Sequence, residues 1–189
     1  MRLSFISKLA IIFLVLALTY LYAIWEKQKY YSHDDNYSAT LVLKDLPSFN
    51  IYTLDAKKIS VNPGSLNGAR GVFVHLWGTW CGPCETEMPT FLAYAEKVKS
   101  KGIKFYLIAV GDEVNNVKKF LTKFPAIPEN VTIAMDLDNS IMDLFGTLKV
   151  PETFLFNSTG KHINKFVGPQ DWSQESYLSR LDFWLNGKN

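Results

Sequence analysis

The chain has 189 residues, 48% of them hydrophobic and 20% charged, which suits one globular domain plus one further segment. Beyond Arg2 and Lys8 its basic and acidic residues balance, so the charge gives no basis for nucleic acid or an anionic membrane surface as partner. There are two cysteines and three histidines, and no internal repeat or low-complexity tract.

The further segment comes first. Arg2 and Lys8 precede an uncharged run from Leu9 to Trp25, whose polar members are Thr19 and the hydroxyls of Tyr20 and Tyr22. The run is at the low end for crossing a bilayer and long for a signal-peptide core, and no small-x-small cleavage site closes it. Tyr20, Tyr22 and Trp25 suit an aromatic belt at the outer interface. Residues 1–25 are therefore expected to be an uncleaved signal-anchor helix. The positive-inside bias puts the N-terminus in the cytoplasm. The chain is then expected to be a single-pass membrane protein with its domain exported. Residues 26–40 are polar and aperiodic, the composition of a linker. His33, Asp34 and Asp35 within it are expected to be solvated and not a metal site. The domain occupies residues 41–189.

Leu41–Leu46 and Phe49–Leu54 are expected to be short strands separated by Pro47, with turns at Asn62–Gly64 and Asn67–Gly68. Gly71–Trp77 is apolar, β-branched and aromatic, the pattern of a buried strand. Met88, Phe91, Leu92, Ala95 and Val98 recur at helical spacing and predict a helix from about Pro83 to Lys99, kinked by Pro89. Gly102 ends it. Ile103–Val110 is a second buried strand, so strand, helix and strand form a parallel, right-handed βαβ unit. Val114, Val117, Phe120, Leu121 and Phe124 mark another amphipathic helix, Val131–Met135 a short strand, and Asn139–Phe145 a short helix before Gly146. Thr153–Phe156 and His162–Val167 flank Asn157–Lys161 as a β-hairpin. Asp171 is expected to cap a last helix with Tyr177, Leu178, Leu181, Trp184 and Leu185 on one face. This order gives an α/β fold with a mixed sheet and helices on both faces.

Both cysteines lie in Trp80-Cys81-Gly82-Pro83-Cys84, where the core strand turns into a helix. A C-x-x-C pair alone is a weak signal, because zinc sites share it. Zinc needs further ligands at finger or ribbon spacing, and here no third cysteine exists and His33, His75 and His162 are scattered. No metal site is expected. A loop this short constrains little of the unfolded chain, which weakens the case for a purely structural disulfide. At a helix start, unpaired backbone N–H groups and the helix dipole favour the thiolate of the first sulfur, and Pro83 suits the first turn. The pair is expected to be a redox-active dithiol. Keeping no stray thiol fits an oxidising compartment.

Residues 72–89 (VFVHLWGTWCGPCETEMP) and 150–156 (VPETFLF) together resemble the thioredoxin superfamily, in its membrane-anchored TlpA/ResA/CcmG (DsbE) branch. The likeness runs from about Leu46 to Leu185. It implies a thioredoxin fold with an N-terminal strand extension and an N-terminal transmembrane helix. It makes Cys81 the attacking thiolate and Cys84 the resolving thiol, with no cofactor beyond the Cys81–Cys84 disulfide. It implies a cis Val150–Pro151 bond against the dithiol, with Trp80, Gly82, Pro83 and Val150 meeting the substrate. Glu87 matches an acidic residue that would raise the cysteine pKa values and shuttle a proton to Cys84. Glu152 would touch the partner beside Cys81, unless it is a plain surface carboxylate. His75 departs from the acidic residue or Asn expected six positions before Cys81. It is either a proton relay or a neutral core histidine, and if charged it would favour the thiolate and an oxidising protein.

The implied function is an inner-membrane-tethered periplasmic thiol–disulfide oxidoreductase that reduces disulfides of exported proteins. Apocytochrome c segments or their maturation factors are one substrate class, and a membrane thiol electron donor would recharge it. Two alternatives stand beside it: a disulfide oxidant or isomerase of the same fold, and a non-enzymatic copper-binding metallochaperone module with His75 as third ligand.

Overall fold

The structure is a computed structural model that describes residues 11, 13–24, 43–66 and 68–186. It separates into two compact units, Met1–Leu41 and Val42–Asn189. In the first, residues 13–24 form a helix, α1, whose side chains are exposed. Among the described residues no helix is long and apolar enough to cross a membrane. The expected signal-anchor, residues 1–25, lies partly outside the described residues, and the linker 26–40 lies wholly outside them.

The second unit is built on β3, Gly71–Trp77, every residue of which is buried. A strand in mid-sheet with both faces covered must be apolar throughout, and this one is, save for His75. It lies between β4 (Ile103–Ala109), parallel to it, and β6 (Glu152–Asn157), antiparallel to it. With β1 (Phe49–Tyr52), β2 (Lys58–Val61), β5 (Val131–Met135) and β7 (His162–Val167) the sheet has seven strands in the order β2-β1-β5-β4-β3-β6-β7. The mixed sheet and parallel β3–β4 crossover are the expected ones.

Alternation along β3 sends Phe73 and Trp77 to one face and Val72, Val74 and Leu76 to the other. The first face packs against α2 (Gly82–Lys97), α3 (Val114–Leu121) and α5 (Glu175–Asn186), through residues such as Phe91, Phe120 and Leu181. Phe73 stacks on Phe105 at 4.9 Å and meets Trp172 edge-on at 5.9 Å. Such aromatic pairs add about 0.5–1.5 kcal/mol each beyond the area they bury. The second face is covered by α4 (Ile141–Phe145), with Phe145 edge-on to Phe49 and Phe154.

Several details depart from the sequence pattern. Of the expected strand Leu41–Leu46, the described residues 43–46 form none: only Asp45 pairs, in an isolated bridge with Lys161. The strand beside β1 is instead β2, a short edge strand of four residues that buries a single one, Val61. Helix α3 stops at Leu121, three residues before Phe124, since Pro125 disfavours helical backbone at the residue before it. Asp171 does not cap α5, which begins at Glu175. Its carboxylate is spent on the backbone N–H (3.1 Å) and hydroxyl (2.5 Å) of Ser173. Pro89 sits on the exposed side of α2 without ending it.

Candidate active site

Gly78, Thr79 and Trp80 carry the chain from β3 into α2. A Cβ at Gly78 would come within 2.6 Å of the Trp80 indole, so only glycine fits beneath that ring. Cys81 is the N-cap of α2, and its Sγ accepts the backbone N–H of Cys84 at 3.2 Å. Pro83 follows in the first turn, where a missing donor costs nothing. Cys81 and Cys84 are joined in a disulfide with their Cα atoms 5.3 Å apart. Cys84 is fully enclosed and Cys81 is 5% exposed, so an incoming sulfur reaches Cys81 first.

The Val150–Pro151 peptide bond is cis, and the Val150 carbonyl oxygen lies 3.7 Å from the Cys81 Sγ. Pro151 is buried and Val150 half-buried. Trp80, Gly82 and Pro83 are exposed, with Trp80 59% open to solvent and its Nε1–H donated to the Val110 carbonyl at 3.1 Å. Residues 80–84 and 150–151, far apart in the chain, are thus brought to one mouth.

Glu87 lies one turn past Cys84 and is only 2% exposed. Burial pushes its carboxyl up to about 7, against the Trp172 indole N–H, which donates to its Oε1, and a backbone hydrogen bond from Gln170, both of which favour the charged form. Among the described residues its buried Oε2 has no well-aligned hydrogen-bond donor. The arrangement gives a carboxyl that exchanges a proton near neutral pH, beneath the inner cysteine.

Of the two readings of His75, proton relay or neutral core histidine, its surroundings are those of the second. Its Nδ1 is 2.8 Å from the Thr153 hydroxyl, its ring packs 4.5 Å from that of Phe91, and its buried Nε2 has no partner among the described residues. Burial with no charged partner pulls its pKa down to about 3, so the imidazole is neutral at physiological pH. It therefore supplies no positive charge to the thiolate and does not titrate across neutral pH.

Glu152 is also not where a partner-binding residue would be. It is 3% exposed, ion-paired with Lys165 at 2.9 Å and bonded by the Thr147 hydroxyl at 2.5 Å. Its position at the start of β6, between β3 and β7, turns the side chain into the fold. Among the described residues no group of three or more His, Cys, Asp or Glu side chains is gathered to hold a metal ion.

Sequence reasoning missed Trp172, Asp112, Thr147 and Lys165. Trp172 is a lone aromatic in a polar loop, without periodic neighbours to mark it as core. Asp112 accepts the Thr79 backbone N–H at 2.6 Å and the Thr79 hydroxyl at 3.0 Å, across 33 residues of chain.

A family profile described as Redoxin matches residues 42–181. The thiol-disulfide oxidoreductase ResA of Bacillus cereus (strain ATCC 10987 / NRS 248) is 32% identical over 160 residues, covering 82% of this chain and 84% of that protein. ResA of Bacillus anthracis is 34% identical over 143 residues, covering 73% and 77%. Among solved structures, a putative thiol:disulfide interchange protein DsbE from Chlorobium tepidum superposes with a TM-score of 0.63 at 24% identity, over 75% of this chain and 96% of that one. That last likeness speaks for the fold alone.

Proposed function

The chain belongs to the Redoxin family, as a TlpA/ResA/CcmG-like thioredoxin, and from that premise we propose that it reduces disulfides in exported proteins. It is a thiol–disulfide oxidoreductase. The observation that carries the reading is the Cys81–Cys84 disulfide at a helix start, facing a cis proline and lying above a carboxyl that titrates near pH 7.

In the reduced protein the Cys81 thiolate attacks one sulfur of a substrate disulfide. A mixed disulfide forms and the other substrate sulfur leaves as a thiolate. The Cys84 thiol gives its proton to ionised Glu87, and the resulting thiolate attacks the Cys81 sulfur. The second substrate sulfur is released, two electrons have passed to the substrate, and the protein holds the disulfide seen here. Protons from Glu87 and solvent complete the two substrate thiols. A membrane thiol donor would then reduce the pair again. Membrane tethering by residues 1–25, with the domain in the periplasm, is supported by the uncharged Leu9–Trp25 run behind Arg2 and Lys8. Partners in cytochrome c maturation are the substrate class this branch suggests.

Two measurements test the reading. The reduction potential separates directions: a value near about −270 mV marks a reductant, and one near about −120 mV an oxidant that overturns it. Replacing Cys84 with Ala in the native host is expected to leave exported proteins disulfide-linked to Cys81, and their identity names the substrate.

A further inference from the structure

We propose that Asp112 is a positioning residue that fixes the Thr79–Trp80 turn and thereby the docking of protein disulfides at Cys81. The proposal rests on the reading that polypeptide disulfides are the substrate. Asp112 lies just past the end of β4, half-buried, on the connection to α3. Both of its carboxylate oxygens are used. Oδ2 accepts the Thr79 N–H at 2.6 Å, and Oδ1 accepts the Thr79 hydroxyl at 3.0 Å and the Glu113 N–H at 2.8 Å. Two residues earlier on the same connection, the Val110 carbonyl holds the Trp80 Nε1–H at 3.1 Å. One segment therefore grips the turn twice, once through the backbone of Thr79 and once through the indole of Trp80. Gly78, which leaves no Cβ under the ring, completes the seat.

What is held so firmly is not core. Trp80 is 59% exposed and directly precedes Cys81, with Leu148, 67% exposed, on the loop that leads to Pro151. A large apolar ring kept in one orientation at a mouth is useful to a ligand that lies across it, because the ordering cost is met before binding. A small disulfide reaches the Cys81 sulfur without crossing the ring. A polypeptide disulfide brings flanking chain that must lie on it. Asp112 thus separates large substrates from small ones, by holding the surface on which the large ones rest.

The test compares the two with the full chain. Asp112→Ala should lower kcat/KM for dithiothreitol-driven reduction of insulin about ten-fold, chiefly through KM, as expected when the two charge-assisted bonds to Thr79 are lost. The reaction of the reduced protein with Ellman's disulfide should fall by less than about three-fold, since no flanking chain meets the ring. Thr79→Val, which removes only the hydroxyl bond, should shift the same ratio by less, and Asp112→Asn should restore part of it. The Trp80 indole N–H, assigned by its loss in Trp80→Phe, should exchange with solvent faster in Asp112→Ala. Equal losses on both substrates, or unchanged indole exchange, overturn the proposal. If Asp112→Ala does not fold, Thr79→Val decides by the same ratio. A wild-type chain inactive on insulin would instead sink the substrate reading and the docking role with it, while indole exchange still reports on the Asp112 grip itself.

Discussion

Two carboxyls flank the dithiol, almost equally buried, yet the fold surrounds them in opposite ways. Beneath the pair, Glu87 meets only neutral donors among the described residues, the Trp172 indole N–H and the Gln170 backbone. On the cis-proline side, Glu152 meets an ammonium group and a hydroxyl. Burial disfavours the charged form unless a counter-charge offsets it. Among the described residues Glu87 has no counter-charge, and it sits at about 7, able to move protons. Glu152 is fastened to Lys165, and that pairing ties Thr147 across the loop carrying Val150 and Pro151 to β6 and β7. Burial alone does not tell a proton carrier from a structural anchor; the partner decides.

The comparison can be broken from its stronger side first. Lys165→Met leaves the Glu152 carboxylate buried without its cation and should cost about 3 kcal/mol in denaturant unfolding. Adding Glu152→Gln should recover part of that loss, because the uncompensated charge is removed. A cost below about 1 kcal/mol would show that the pair is no anchor.

Glu87→Gln comes next. The folded pKa is raised from 4.5 to about 7, so the wild type holds its full stability below pH 4.5 and loses it as pH rises through about 7. The variant should match wild type at pH 4.5 and exceed it by about 2–3 kcal/mol at pH 8. The rate of substrate reduction should also lose its inflection near pH 7. Parallel stability curves for the two proteins would contradict a titrating Glu87. Trp172→Phe keeps an aromatic ring edge-on to Phe91, 4.9 Å away in the wild type, but removes the donor, so Glu87 should titrate higher still. Its cost should be about 1–2 kcal/mol at pH 8, read from chemical unfolding.

The smallest effect sharpens the contrast by its absence. His75, held neutral by burial at about 3, should show no ring-proton shift change between pH 5 and pH 8 in NMR titration. A midpoint near its ordinary value of 6.5 would make it, and not Glu87, the group that answers to neutral pH.

The local chemistry was legible in the sequence. A buried strand, a C-x-x-C pair at a turn and an amphipathic helix are written within about thirty residues, so β3, the dithiol and α2 follow from periodicity and capping alone. The hairpin of β6 and β7 was legible for the same reason. Edge strand β2 was not, because pairing with β1, and not a pattern in its own four residues, makes it a strand. The ionisation of the site was not legible either. Glu87 meets Trp172 across 85 residues, His75 meets Thr153 across 78, and Thr79 meets Asp112 across 33. Spacing along one helix placed Glu87 near Cys84, but only the folded chain decided that water is excluded there, that His75 is neutral, and that Glu152 is fastened inward. Backbone conformation answers to near neighbours, whereas the charge state of a side chain answers to whatever distant chain the fold packs around it.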